Sequence, residues 1–251
     1  MKRLTLLLAV LVSGLVAADD RRSGFADMTP AVQALQRGDA QNPAMLWVRG
    51  GEATWGQRAG AANRSCADCH GDARQSMRGV APRYPAFDEP SGAPLTLAGR
   101  IDACRVRHQQ APAFAPESEA VLGLEAWVAM ASRGLPIAPP ADPRLAPWRA
   151  QGERLYRQRI GQLDLACAQC HEGLAGRRLG GSVIPQGHPT GYPLYRLEWQ
   201  GLGSLQRRLR GCFNGVRAEA PAYGSAELLA LELYLMQRAA GLALESPAVR
   251  P

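Results

Sequence analysis

The sequence predicts a mainly α-helical protein built from two similar helical units. Three observations point there. The pattern Cys-x-x-Cys-His occurs twice, in SCADCHGD and ACAQCHEG. Blocks of the first half recur in the second, in the same order. The blocks that match best carry apolar residues at i, i+3 and i+7, the period of one helix face.

The chain opens with Lys2 and Arg3, a short apolar run over 4–16 and the small residues Val16-Ala17-Ala18. This is the pattern of a secretory signal peptide over residues 1–18, and it is too short for a comfortable membrane span. No later stretch is apolar for long enough to cross a bilayer, so an exported protein of the periplasm with no membrane span is expected. Beyond the signal, Lys+Arg exceeds Asp+Glu modestly, and every cation is arginine because Lys2 is the only lysine. There is no concentrated basic run with interleaved aromatics, which argues against nucleic acid. A modest positive charge suits an anionic small molecule or an acidic partner.

A short arm precedes the first unit, and NPAMLWVRGGEATW reads as that unit's ordered start. The first Cys-x-x-Cys-His follows. One helical turn presents two thiols to the vinyl groups on a haem edge, and the next histidine lies under the iron. Cys66 and Cys69 would thus hold one c-type haem with His70 as axial ligand. Cys167 and Cys170 would hold a second with His171. A zinc site is disfavoured by the long gap between the cysteine pairs, and a redox dithiol does not need the adjacent histidine.

The repeat carries through to the end of the chain. RYPAFD matches GYPLYR, GRIDACRVRHQQAPAF matches RRLRGCFNGVRAEAPAY, and EAVLGLEAWVAMASRGLPI matches AELLALELYLMQRAAGLAL, at offsets of 107 or 108 residues. Val121, Leu124 and Val128 thereby correspond to Leu228, Leu231 and Leu235. The expected architecture is two cytochrome c-like helical domains related by internal duplication, each around a covalent haem. They span residues 19–138, including the arm, and 139–251, and LPIAPPADPRLAP joins them.

Two cysteines remain. Cys104 and Cys212 are equivalent in the repeat. In an exported protein two spare thiols often pair, but equivalent positions of two domains should lie far apart, and a disulfide needs Cα atoms within about 7 Å. The preferred reading is that each thiol is the distal axial ligand of its own haem. His108, His188, Met77 and Met236 are the competing ligands. Arg208 precedes Cys212 by four residues, so both can face one way, and Arg217 follows it. Guanidinium groups favour a thiolate and form a fork suited to a sulfur oxyanion. Arg100 stands in the same relation to Cys104, which weakens the contrast. Only the second half has Asn-Gly beside its cysteine, a tight-turn signal, and this places the expected reactive centre there. Arg207 and Arg210 read as a solvated helix face or as propionate partners.

The stretches NPAMLWVRGGEATW, SCADCHGDA, SMRGVAPRYPAFD, ACAQCH, PQGHPTGYPLYRLEWQGLGSLQRRLRGCFNGVRAEAPAYG and LALELYL resemble the SoxA family, the SoxA subunits of the SoxAX cytochromes, over essentially the whole chain after the signal. Two haem motifs make it similar to the dihaem kind. The resemblance implies Cys104 and Cys212 as distal ligands, with Cys212 as a persulfide and Arg208 as the substrate-binding residue. It implies the oxidative joining of thiosulfate to a cysteine of the SoxYZ carrier, with release of two electrons, and a monohaem SoxX cytochrome as partner. The rival readings are a dihaem cytochrome that only transfers electrons, and a haem peroxidase, which strong thiolate ligation opposes.

Overall fold

The computed structural model describes residues 20–251; the signal peptide expected over 1–18 lies outside them. Short helices dominate, and the strands are two- or three-residue pieces.

Each half is framed by a pair of crossing helices. In the first, α1 (Met45–Gly56) crosses α2 (Glu119–Met130). The stripe Val48, Gly51, Trp55 is buried on α1. On α2 burial extends almost all round, from Val121 to Ala129. The backbones meet at glycines: a Cβ on Gly51 would lie 1.9 Å from the Gly123 carbonyl oxygen. In the second half α3 (Ala146–Arg157) crosses α4 (Ala226–Arg238) in the same way, and a Cβ on Gly152 would lie 2.0 Å from the Ala230 carbonyl oxygen. Close approach of this kind excludes any side chain and lets the flanking apolar residues interlock. Val121, Leu124, Val128, Leu228, Leu231 and Leu235, the stripe read from the repeat, are all buried.

Between its crossing helices each half places the same series of pieces. The first haem motif forms helix α5 (Cys66–His70), closed by a reciprocal cap between Ser65 and Asp68. The second runs into a π-turn over Gln169–Gly173. A small antiparallel hairpin follows in each, β1 (Ala86–Asp88) with β2 (Ala93–Leu95), and β3 (Leu194–Arg196) with β4 (Gly201–Gly203). The hairpins lead into the helices that carry the spare thiols, α6 (Leu97–Cys104), capped by Thr96, and α7 (Leu205–Gly215), capped by Ser204. The loop before each haem motif bonds to the chain just beyond its thiol helix. Ala61 and Ala62 N–H donate to the carbonyls of Gln110 and Gln109, and Gln162 and Leu163 N–H to those of Arg217 and Val216. The motif and the thiol of each half are thereby fixed relative to one another.

The halves pack together. Residues 135–137 pair with 242–244 through backbone bonds around the Pro136–Ala243 bridge. Tyr195, Leu202, Met236, Leu244 and Val249 of the second half belong to the same core as Val48, Trp55 and Trp127. The arm docks on the second half. Arg21 donates to the carbonyls of Arg238 and Ala240, Ser23 to Glu245, and Asn42 to the carbonyl of Pro247. β5 (Ala248–Arg250) pairs parallel to β3 at the chain's end.

A cavity of about 260 Å³ lies between the halves and is lined by Glu125 and Glu232. These are equivalent positions in the repeat. Burial pushes Glu125 up to about 8, with the charges of Glu232 and Glu117 adding to it, and pushes Glu232 up to about 7. One Glu125 oxygen has no hydrogen-bond partner, while Glu232 accepts from Gln206 at 3.3 Å.

Two predictions follow from packing and burial. Gly51→Val forces the helix crossing apart and destabilises the fold by about 1–3 kcal/mol, the usual cost of overpacking, read as a lowered thermal midpoint of the holoprotein. The raised carboxyl groups make the folded chain hold more protons than the unfolded one between their ordinary value of 4.5 and about 8. Their contribution is therefore complete at low pH and is lost as pH rises through that window. The thermal midpoint should carry a declining component from pH 5 to pH 8, and Glu125→Gln should flatten it.

Candidate functional site

Two thiol-bearing sites result, one per half. In the first, burial pushes the Cys66 thiol up and the nearby Cys104 adds to the effect. Cys104 is raised chiefly by burial, against the charges of Arg100 and Arg107, with Cys69 among its neighbours. In the second, Cys167 is pushed up to about 11, first by burial and then by Cys212. Each spare thiol therefore lies within electrostatic reach of its own haem motif. No disulfide joins any of the six cysteines.

The histidines differ. The His171 ring bonds through Nδ1 to the Pro185 carbonyl oxygen at 2.8 Å. With Nδ1–H donating there, Nε2 carries the free lone pair that an iron requires. Burial lowers the proton affinity of His171, and the charge of Arg208 adds to this, which favours the neutral imidazole. His70 is exposed and sits 5.8 Å from the Trp55 ring, whose Nε1–H donates to the Gly71 carbonyl. Among the described residues its ring makes no hydrogen bond. Of the competing ligands, Met236 is buried in the core, Met77 packs against it, His108 is exposed and His188 is buried.

The arginines around Cys212 divide clearly. Arg207 stacks on Trp199 at 4.3 Å, and Arg210 stacks on Tyr223 at 4.6 Å and donates to the Pro221 carbonyl. These two brace the fold, where one reading of the sequence is a solvated face. The Arg208 guanidinium makes no ion pair or hydrogen bond among the described residues, and its charge acts on His171 and Tyr192. Arg217 is exposed and takes a left-handed φ of 57°. The chain reverses there, one turn later than Asn-Gly suggested: Asn214 and Gly215 end α7. The first half has its own left-handed residue after its thiol, Gln110 at φ 54°, so a turn does not distinguish the two sites.

One residue the sequence reading passed over stands in this site. Arg196 ends β3, three-quarters buried or more, with its charge opposed by burial and by Arg208. The signal was available: within the matched blocks RYPAFD and GYPLYR, position 88 is aspartate and position 196 is arginine.

A model of the SoxA/TsdA cytochrome c domain matches residues 50–137. The chain is 37% identical over 233 residues to the L-cysteine S-thiosulfotransferase subunit SoxA of Pseudaminobacter salicylatoxidans, covering 92% of this chain and 82% of that one. The chain belongs to the SoxA family. The SoxA of Rhodovulum sulfidophilum is 36% identical, over 92% of this chain and 81% of the relative. The crystal structure of SoxXA from P. pantotrophus matches this fold with a TM-score of 0.88 at 32% identity, over 92% of this chain and 87% of that one. The SoxA fold is cytochrome c-like and its cofactor is c-type haem. The residues present fit that group: free thiol pairs one helical turn apart, and a second-half histidine whose Nδ1 is occupied and whose Nε2 is available. No helix among the described residues is long and apolar enough to cross a membrane.

The His171–Pro185 bond generates a prediction. An imidazole that donates from Nδ1 is a stronger ligand through Nε2 and favours the ferric state. A haem held at Cys167 and Cys170 would therefore have its reduction potential lowered by this histidine. Loosening the Pro185 loop by Pro185→Gly should raise that haem's potential in a spectroelectrochemical titration.

Proposed function

We propose that this chain is a dihaem SoxA of the periplasm, composed of two haem domains over residues 19–138 and 139–251. In this reading it joins thiosulfate oxidatively to a cysteine of a SoxYZ carrier in complex with a monohaem SoxX subunit. The observation that carries the reading is the placement of an unpaired thiol, Cys212, beside the second haem motif and one helical turn from a guanidinium with no internal partner, Arg208. The relatives are named as thiosulfotransferase subunits, and the matching solved structure is a SoxXA complex.

The residues take the following parts. Cys66 and Cys69 would hold one haem together with His70 and Cys104; Cys167 and Cys170 would hold the other together with His171 and Cys212. When bound, these groups supply a one-electron acceptor. Arg208 binds the thiosulfate dianion, with Arg217 at the rim. Cys212, carrying one extra sulfur as a persulfide, forms an S–S bond to the terminal sulfur of thiosulfate, and two electrons leave. A carrier thiolate then attacks that sulfur, taking the S₂O₃ group as R–S–S–SO₃⁻ and returning the persulfide to Cys212. Thiol, thiosulfate, proton and electrons balance: RSH + S₂O₃²⁻ gives R–S–S–SO₃⁻ + H⁺ + 2e⁻.

A purely electron-transferring cytochrome would leave Cys212 chemically silent. Two measurements separate the readings. Cys212→Ala should abolish thiosulfate-dependent turnover while both haems stay covalently attached; retained turnover rejects the role. Intact-mass analysis of the holoprotein should show about 32 Da beyond protein plus haem, mapped to Cys212, as expected of a reactive thiolate carrying one more sulfur.

A further inference from the structure

The repeat supplies an internal control for the anion site. Arg100 and Arg208 are equivalent, each four residues before a spare thiol. In the first half Arg100 is paired with Asp88, which is 1% exposed, through an ion pair of 2.8 Å. Asp88 also takes both ends of the Arg107 guanidinium, at 3.0 and 2.8 Å, and the Ser91 N–H at 3.1 Å. The hydrogen bonds from Arg107 hold its carboxyl well below the usual range.

The same three positions in the second half read Arg196, Arg208 and Gly215. Asp88 faces Ala93 across β1 and β2 as Arg196 faces Gly201 across β3 and β4, so the register is kept and only the charge is inverted. Arg196 reaches outward to Glu198 at 2.8 Å, a residue 64% exposed, and lies over Trp199 at 5.2 Å. Its Nε is buried and has no acceptor. The third arginine near Tyr192, Arg250, is occupied by Glu245. Among the described residues Arg208 has no carboxylate partner, the charges of Arg196 and Arg208 act on one another, and the buried Nε of Arg196 is left without an acceptor. An unmet buried donor is destabilising, and the repulsion adds to that. A multiply charged oxyanion seated between Arg196 and Arg208 removes both costs, and guanidinium forks match its geometry.

We propose that Arg196 is the second guanidinium of a sulfur-oxyanion site beside Cys212, and that exchange of the first half's buried aspartate for arginine frees Arg208 for substrate. The assignment of thiosulfate as that oxyanion rests on the reaction proposed above. A haem propionate carries related chemistry as a carboxylate, and the test separates the two.

The measurement is equilibrium dialysis of labelled thiosulfate against oxidised holoprotein, paired with steady-state kinetics in the SoxX complex and a redox titration. Arg196→Gln should weaken thiosulfate binding about tenfold or more, the scale of one lost charged hydrogen bond, and raise KM more than it lowers kcat. Arg196→Asp should weaken it further, because it rebuilds the ion pair that silences Arg100, and Arg196→Lys should restore part of it. Unaltered thiosulfate binding in Arg196→Asp overturns the proposal, as does absence of binding in the unaltered protein. A shifted potential of the second haem with binding unchanged also overturns it and assigns Arg196 to a propionate. Binding that depends on Arg196 without any turnover upholds the site and rejects the reaction instead.

Discussion

Backbone contact at two helix crossings is the constraint on which the molecule depends. Where Gly51 meets Gly123, and Gly152 meets Ala230, there is no room for a Cβ. Each crossing closes one half into a frame. A frame with short helices and little regular sheet has few other ways to fix its loops, so the haem motif and the thiol helix take their places from it. The backbone bonds from residues 61–62 to 109–110, and from 162–163 to 216–217, complete the restraint. A thiol held in this way faces its own motif and not its counterpart in the other half.

From a shared frame the halves diverge through a few polar substitutions. A buried carboxylate in the first half gathers two arginines and offsets one of their two charges. In the second half the corresponding residue is a cation, and positive charge is left beside the thiol. The histidines diverge in the same direction, since His171 has a carbonyl acceptor in a loop that the first half lacks. One site holds a buried carboxylate among its arginines and has an exposed histidine; the other has no such carboxylate, and its histidine is half-buried and oriented. That contrast fits structural service in the first half and chemistry in the second.

Much of this was legible in the sequence. Cysteine spacing gave the haem motifs, matched blocks gave the paired helices, and the apolar stripes from Val121 and Leu228 are buried as periodicity requires. Other features depend on tertiary contacts. Arg207 and Arg210 look solvent-facing in a run of cations, yet aromatic rings and carbonyls brace them. Glu125 and Glu232 interrupt apolar helices, and only the packing of the halves shows that both line one cavity. The arm's attachment to the second half uses scattered polar groups such as Arg21 and Asn42, which carry no period to read. The inversion from Asp88 to Arg196 was present in the alignment of the halves, but its meaning required knowing that position 88 bonds the arginine before the thiol.

The central claim is that the two spare thiols serve separate sites. Its most direct test is a peptide map of the purified holoprotein, digested in acid without reductant so that thiols cannot exchange. The account predicts Cys104 and Cys212 on separate peptides, with haem on the peptides of Cys66–Cys69 and Cys167–Cys170. Recovery of Cys104 and Cys212 joined as cystine would contradict it.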